Sequence, residues 1–291
     1  MLPRPKLCIP VRAGICRTIR SYSTKNKETV PLAFKLYNPP QKVSAPPIIF
    51  AHGLFGSKQN HISHSKTLAA ELKRSIYAVD LRNHGDTAHN PRHDYTALAE
   101  DVEQFILDHE LTQPILIGHS MGAKTVMTVA LRSPDMISSI IAVDNSPISV
   151  PLAENFAGYI EGMREVEASK VRTPKEADEI LKKYEASSET RLWLLANLKK
   201  PDPYLKFRVP LDILDRSRGA LGDFPFTESD TVVFEKPALF LRAKHSHYVP
   251  DESLPAVKRF FPNAEIEDVD SGHWIIQEKP REFQKGFPSI S

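Results

Sequence analysis

The sequence predicts an α/β fold, a mainly parallel, doubly wound sheet with an inserted helical cap. Three observations carry this expectation. Short apolar runs alternate with stretches of helical spacing over residues 33–143 and again over 237–269. The runs end in polar or glycine-rich clusters, as strands buried on both faces do at their carboxyl ends. Over 151–231 the alternation stops and only helical spacing is left.

The elements follow in order. Residues 33–37 form a short strand, and the proline-rich stretch 38–47 is a connector. Ile48-Ile49-Phe50-Ala51 is a buried strand that stops at His52-Gly53. Residues 66–72 have helical spacing and 76–81 form another strand. Leu98, Val102, Phe105 and Ile106 mark one face of a helix over 97–107. Residues 114–117 are a third apolar strand, followed by Gly118-His119-Ser120-Met121-Gly122 and a helix over 123–131. A fourth strand, 140–143, ends at Asp144. In the cap, helices are expected over 154–167, 174–184 and 189–198. Thr173-Pro174-Lys175-Glu176 supplies an N-cap, a proline at the first helical position and a capping-box acid. Strands at 237–242 and 264–269 flank a helix over 251–260. Alternation of this kind means parallel strands joined by right-handed crossovers.

Gly118-His119-Ser120-Met121-Gly122 fits G-x-S-x-G between a strand and a helix. The turn is tight, so side chains at the two glycine positions would clash with backbone. An ordinary turn could carry the same five letters. The flanking elements make Ser120 the candidate nucleophile, forming a covalent acyl intermediate. The amide of Met121 is one candidate donor to the developing oxyanion. The second is the Leu54 amide in His52-Gly53-Leu54-Phe55-Gly56-Ser57, where Gly53 and Gly56 are expected to turn the backbone inward. His52 reads as a structural tie of that loop. The base should come last in the chain. His273, in Asp270-Ser271-Gly272-His273-Trp274 after the final strand, is in that place.

The acid is less direct. The segment after the 237–242 strand reads Ala243-Lys244-His245-Ser246-His247-Tyr248, with no carboxylate before Asp251. The imidazolium needs a carboxylate. Asp144 closes the preceding strand on the same sheet edge, in Val143-Asp144-Asn145-Ser146-Pro147, and is preferred to Asp251; a turn cap is its plainer role.

Other features carry no chemistry. His61 and His64 are spaced as helical neighbours, but without an H-E-x-x-H or carboxylate pattern, so no metal is expected. Asp80-Leu81-Arg82-Asn83-His84-Gly85 reads as a loop-fixing turn at the pocket edge. Phe156, Tyr159 and Trp193 read as cap core.

Hydrophobic residues at 41% and charged residues at 25% suit a buried core rather than disorder. No apolar run approaches the roughly 18 residues of a membrane-spanning helix. The net charge of +2 divides unevenly: residues 1–22 hold Arg4, Lys6, Arg12, Arg17 and Arg20 and no acid, so the rest carries about −3. Such a body gives no reason to expect nucleic acid. The first segment reads as a mitochondrial transit peptide over 1–22, with the mature start near Ser23. Both cysteines, Cys8 and Cys16, fall inside it. A mature chain over 23–291 would have no disulfide or thiolate site.

Taken together, the motifs at 52–57, 81–86, 118–124 and 143–147 resemble the mitochondrial α/β-hydrolase-domain proteins, in the branch that includes the yeast ethanol acetyltransferases. The similarity covers roughly residues 30–285. In that branch the acid follows the strand after the nucleophile helix, which falls on Asp144. The resemblance implies acetyl transfer from acetyl-CoA, as a co-substrate, to an alcohol, with ester and thioester hydrolysis beside it and no resident cofactor. A plain serine esterase or thioesterase is the alternative, and a catalytically silent binding protein a more distant one. Two departures stand out: Ala123 replaces a second glycine, and residues 282–291, with Gly286 and Pro288, predict a curtailed last helix.

Overall fold

Strands β1 (Phe34–Tyr37), β2 (Ile48–Ala51), β3 (Ile76–Val79), β4 (Ile115–His119), β5 (Ser139–Val143), β6 (Ala238–Ala243) and β7 (Ala264–Val269) form one sheet, in the order β1-β3-β2-β4-β5-β6-β7. The computed structural model describes residues 28–41, 45–152, 155–199 and 202–285. The expected leader, both cysteines and the last six residues lie outside them. β1 runs antiparallel to β3, and the other neighbours are parallel. The family of alternating elements expected from the sequence is therefore an α/β fold with an antiparallel edge.

Side chains alternate across each strand. Ile49, Ala51, Leu116 and Ile140 face helices α2 (Tyr95–Asp108) and α3 (Met121–Arg132) in one core. Ile48, Phe50, Ile117 and Ile141 face the other way, onto α1 (Ile62–Leu72) and the C-terminal helices. Full burial of each such side chain stabilises by about 1.5–3 kcal/mol. A bidentate pair, Arg82 on Asp101 at 2.6 and 2.7 Å, lies inside the protein, and Asp101 also accepts the Val30 amide at 2.7 Å.

Between β5 and β6 the described chain adds no strand to the sheet. It forms α4 (Phe156–Ala168), α5 (Pro174–Leu181), α6 (Ser188–Leu195), α7 (Leu211–Arg216) and α8 (Arg218–Gly222). Helices α4 to α7 share a core of their own with Phe55 of the loop after β2, whereas Leu221 of α8 packs in the core that holds α2 and α3. The Thr173 capping box is formed. The two shortest helices escaped sequence reading because five or six residues hold little periodicity. Likewise, α1 starts four residues early, following a short 3-10 turn (Lys58–His61) capped by Ser57. Helix α9 (Leu254–Phe260) lies between β6 and β7 in the chain, and α10 (Ile275–Glu278) and α11 (Pro280–Lys285) follow β7. Among the described residues the chain ends in two short helices parted at Lys279, and of the expected curtailed segment 282–291 the last six residues lie outside the described ones. Phe283 still reaches the core, fully buried beside Phe50 at 5.9 Å.

Candidate active site

Ser120 sits between β4 and α3 with φ 55° and ψ −115°, a conformation that costs free energy for any side chain. Its neighbours leave no room for relaxation. A Cβ on Gly118 would stand 2.1 Å from the Gly122 carbonyl, and one on Gly122 would stand 2.4 Å from the Ala51 carbonyl. The Ser120 amide is held by the Val143 carbonyl at 2.9 Å, and Asn145 Nδ2 donates to the Ser120 carbonyl at 3.2 Å.

His273 Nε2 lies 2.9 Å from Ser120 Oγ, and His273 Nδ1 lies 2.6 Å from Asp144 Oδ2. A carboxylate only accepts, so Nδ1 carries the hydrogen and Nε2 is left to accept from the serine hydroxyl. Asp144 is fully buried, and its other oxygen accepts the Ala243 amide at 3.1 Å. Its backbone is left-handed, at φ 49°, a conformation that Asp adopts more readily than most residues. Asp251, the other candidate acid, instead pairs with Arg242 at 2.6 Å with its side chain largely exposed. The structure therefore brings Ser120, His273 and Asp144 into one hydrogen-bonded chain and leaves Asp251 outside it.

The base loop has two supports that sequence reading missed. His119 Nε2 donates to the His273 carbonyl at 2.8 Å, and Glu278 accepts the Gly272 amide at 2.9 Å. Burial pushes His119 down to about 3, helped by the adjacent His273, so the ring is neutral. His119 is the variable letter of the G-x-S-x-G motif, and no spacing rule marks it. Lys124, one turn into α3, donates to the Gly222 and Asp223 carbonyls at 2.9 and 2.8 Å. Burial lowers its amine to about 8.

The loop after β2 lies against the nucleophile. A Cβ on Gly53 would stand 3.2 Å from the Ser120 Cβ. Leu54 and Met121 line the same cavity as Ser120. The Met121 amide opens α3, where backbone N–H groups lack helical partners. The left-handed residue of the loop is Phe55, at φ 56°, rather than a glycine. The glycines are needed for space, since a Cβ on Gly56 would stand 2.8 Å from the Gly53 carbonyl. His52 ties the loop, with Nδ1 donating to the Gly53 carbonyl at 2.7 Å and Nε2 accepting the Leu81 amide at 3.0 Å.

The Asp80–Gly85 stretch fixes this loop from below but does not line the cavity, contrary to expectation. The Asp80 carboxylate accepts the Lys58 and Asp86 amides at 2.6 and 2.8 Å. Gly85 is at φ 54°, and a Cβ there would also fall 2.1 Å from the Asp80 carboxyl carbon, so the position calls for glycine on both counts.

The cavity above Ser120 measures about 770 Å³. Met121, Val150, Leu152, Phe156 and Leu221 give it an apolar wall, and Trp193 of the cap, Tyr248 of the segment after β6 and Trp274 of the base loop close it in. Phe156, Tyr159 and Trp193 therefore serve both the cap core and the cavity. His61 stacks on Phe50 at 3.9 Å. Among the described residues no group of three or more His, Cys, Asp or Glu could hold a metal, and no helix is long and apolar enough to cross a membrane.

Comparison with known proteins points to the same fold. A family model described as the alpha/beta hydrolase fold matches residues 46–280. A probable alcohol acetyltransferase of Saccharomyces cerevisiae is 40% identical, over 81% of this chain and 74% of its own. The sn-1-specific diacylglycerol lipase ABHD11 of Xenopus laevis is 34% identical, over 90% of this chain and 84% of its own. Among solved structures, a marine microorganism esterase superposes with a TM-score of 0.81 at 30% identity, covering 90% of this chain and 100% of that one.

Proposed function

The chain belongs to the α/β-hydrolase fold family, and from that premise we propose that it transfers acyl groups through a covalent acyl-Ser120 intermediate, with an alcohol as the preferred acceptor. The Ser120–His273–Asp144 hydrogen-bonded chain carries this reading. Ser120 Oγ attacks the carbonyl carbon of an acyl donor while its proton passes to His273 Nε2. Asp144 stabilises the imidazolium that results. The Leu54 and Met121 amides receive the oxyanion. The donor's thiolate or alkoxide leaves with the proton from His273. An alcohol or water then gives up its proton to His273 and attacks the acyl carbon; the C–Oγ bond breaks, the ester or acid leaves, and His273 returns the proton to Ser120 Oγ.

Acetyl-CoA and a short alcohol are the proposed pair. The 40% identity to a protein named a probable alcohol acetyltransferase supports them. Mitochondria are the proposed compartment, on the composition of residues 1–22. Fusions to a fluorescent protein with and without that segment test the compartment. Incubation with acetyl-CoA and ethanol, with ethyl acetate measured against free acetate, tests the activity. Ester formation lost in Ser120→Ala supports it. Absence of both products, with no labelling of Ser120 by a fluorophosphonate, overturns it.

A second reading is hydrolysis of larger esters, and the cavity favours it. A space of about 770 Å³ with an apolar wall exceeds the needs of an acetyl group. A relative named a diacylglycerol lipase points the same way. Turnover rising along p-nitrophenyl esters from acetate to laurate, with no ester product from ethanol, would favour it.

A further inference from the structure

Phe55 bears the backbone strain of the loop that faces Ser120. A bulky residue at φ 56° persists only where its surroundings over-determine it. Both of its peptide groups are held by buried side chains. His84 Nε2 accepts the Phe55 amide at 3.1 Å, with His84 Nδ1 donating to the Arg82 carbonyl at 2.9 Å. Asn197 Nδ2 donates to the Phe55 carbonyl at 2.7 Å, across 142 residues of sequence. The Phe55 ring is 2% exposed, stacks on Phe156 at 5.2 Å and meets Trp193 edge-on at 5.4 Å.

The two tethers come from different bodies. His84 belongs to the turn after β3, beneath the loop. Asn197, Phe156 and Trp193 belong to the helical segment between β5 and β6. Asn197 is itself fixed, since its amide donates to the Leu194 carbonyl at 3.1 Å and its carbonyl accepts the Arg208 amide at 2.7 Å. A rigid hand from the cap thus grips the carbonyl next to the Leu54 unit.

We propose that Asn197 is a positioning residue for acyl transfer: its hold on the Phe55 carbonyl aims the Leu54 amide, so the oxyanion site is complete only while the cap is docked. The inference rests on the reading of Ser120 as nucleophile and Leu54 as oxyanion donor. Without the Asn197 donor, Phe55 relaxes toward negative φ and swings the loop away from Ser120. Ground-state binding in the apolar cavity does not depend on this bond. Its loss therefore acts on the transition state alone.

The test compares the full chain with Asn197→Leu, a near-isostere without a donor, and Asn197→Ala. Turnover of p-nitrophenyl acetate is measured beside inhibition by an alkyl trifluoromethyl ketone. That ketone adds the Ser120 oxygen to its carbonyl carbon and places an oxyanion in the site. The expected result is a kcat lower by about tenfold or more at nearly unchanged KM, with ketone affinity falling in parallel. Wild-type kcat and ketone affinity in a folded variant overturn the proposal. A fall in thermal midpoint with kinetics intact overturns it as well. A wild type that neither turns over the ester nor binds the ketone sinks the underlying acyl-transfer reading instead.

A second measurement needs no variant. Phosphonylation of wild-type Ser120 by a fluorophosphonate should slow amide exchange at 194–199 together with 53–57. Slowing confined to 53–57 overturns the coupling.

Discussion

Asp144 and His273 meet at 2.6 Å although 129 residues separate them in the chain. The carboxylate reaches the imidazole from β5, the strand beside the nucleophile's own β4. Asp144→Asn is expected to lower kcat by about 10⁴, through loss of the correct tautomer and of the charge that steadies the imidazolium. Asp251→Asn, which alters only a pair with Arg242, should leave turnover near wild type. Steady-state kinetics on the two variants decide between the carboxylates, and equal losses would contradict the assignment.

Gly122→Ala is expected to cost more than about 3 kcal/mol in a urea melt, since the new Cβ would meet the Ala51 and His52 carbonyls and neither strand nor helix can yield. Ala123→Gly, in the adjacent position, should cost only about 1 kcal/mol, the helix propensity difference. Comparable losses in the two would mean that the elbow is looser than its geometry implies.

Asp101→Ala should destabilise by about 3–5 kcal/mol, because the fully buried Arg82 guanidinium is left without its carboxylate. The Val30 amide loses its acceptor in the same step. A double change, Arg82→Met with Asp101→Leu, should recover much of that loss. Chemical denaturation of the three proteins measures both statements.

Acid should unfold the protein early. His52, His61, His84, His93 and His119 are buried and their protonation is pushed below the ordinary value of 6.5, burial being the first cause in each. The unfolded chain then binds more protons as pH falls below 6.5, so stability is full above that value and is lost on the acid side. Each such group costs about 1.4 kcal/mol per pH unit within its window. Both ring nitrogens of His61 are buried without a hydrogen bond. His61→Leu should therefore be harmless at pH 7 and lessen the loss of thermal midpoint between pH 6.5 and 5 by several degrees. An unchanged slope would count against His61 as one of the titrating groups.

Ile48–Ala51 was legible as a strand because four apolar residues stop abruptly at His52-Gly53. Ser120 was legible because two glycines with no room for a Cβ must bracket it. Asp144 followed by exclusion, since the loop after β6 lacks a carboxylate. His119, Asn197 and the left-handed Phe55 were not legible. Their roles lie in bonds spanning 154, 142 and 29 residues, and no local pattern reports such a partner. The reach of α1 back to Ile62 was hidden by polar His61 and His64, whose rings pack on Phe50 and Phe283 as apolar side chains would.

Placing the acid at the end of β5 relieves the segment after β6 of catalytic duty. That segment still borders the cavity, through His245, His247 and Tyr248. Its contacts with the base are supporting ones: the His245 amide donates to the Ser271 carbonyl at 3.1 Å, and the Tyr248 ring lies 4.4 Å from that of His273. A lineage of such enzymes can diverge in selectivity by drift in one loop while its reaction machinery stays intact. A library randomised at His247 alone changes the cavity wall while leaving Ser120, His273 and Asp144 in place.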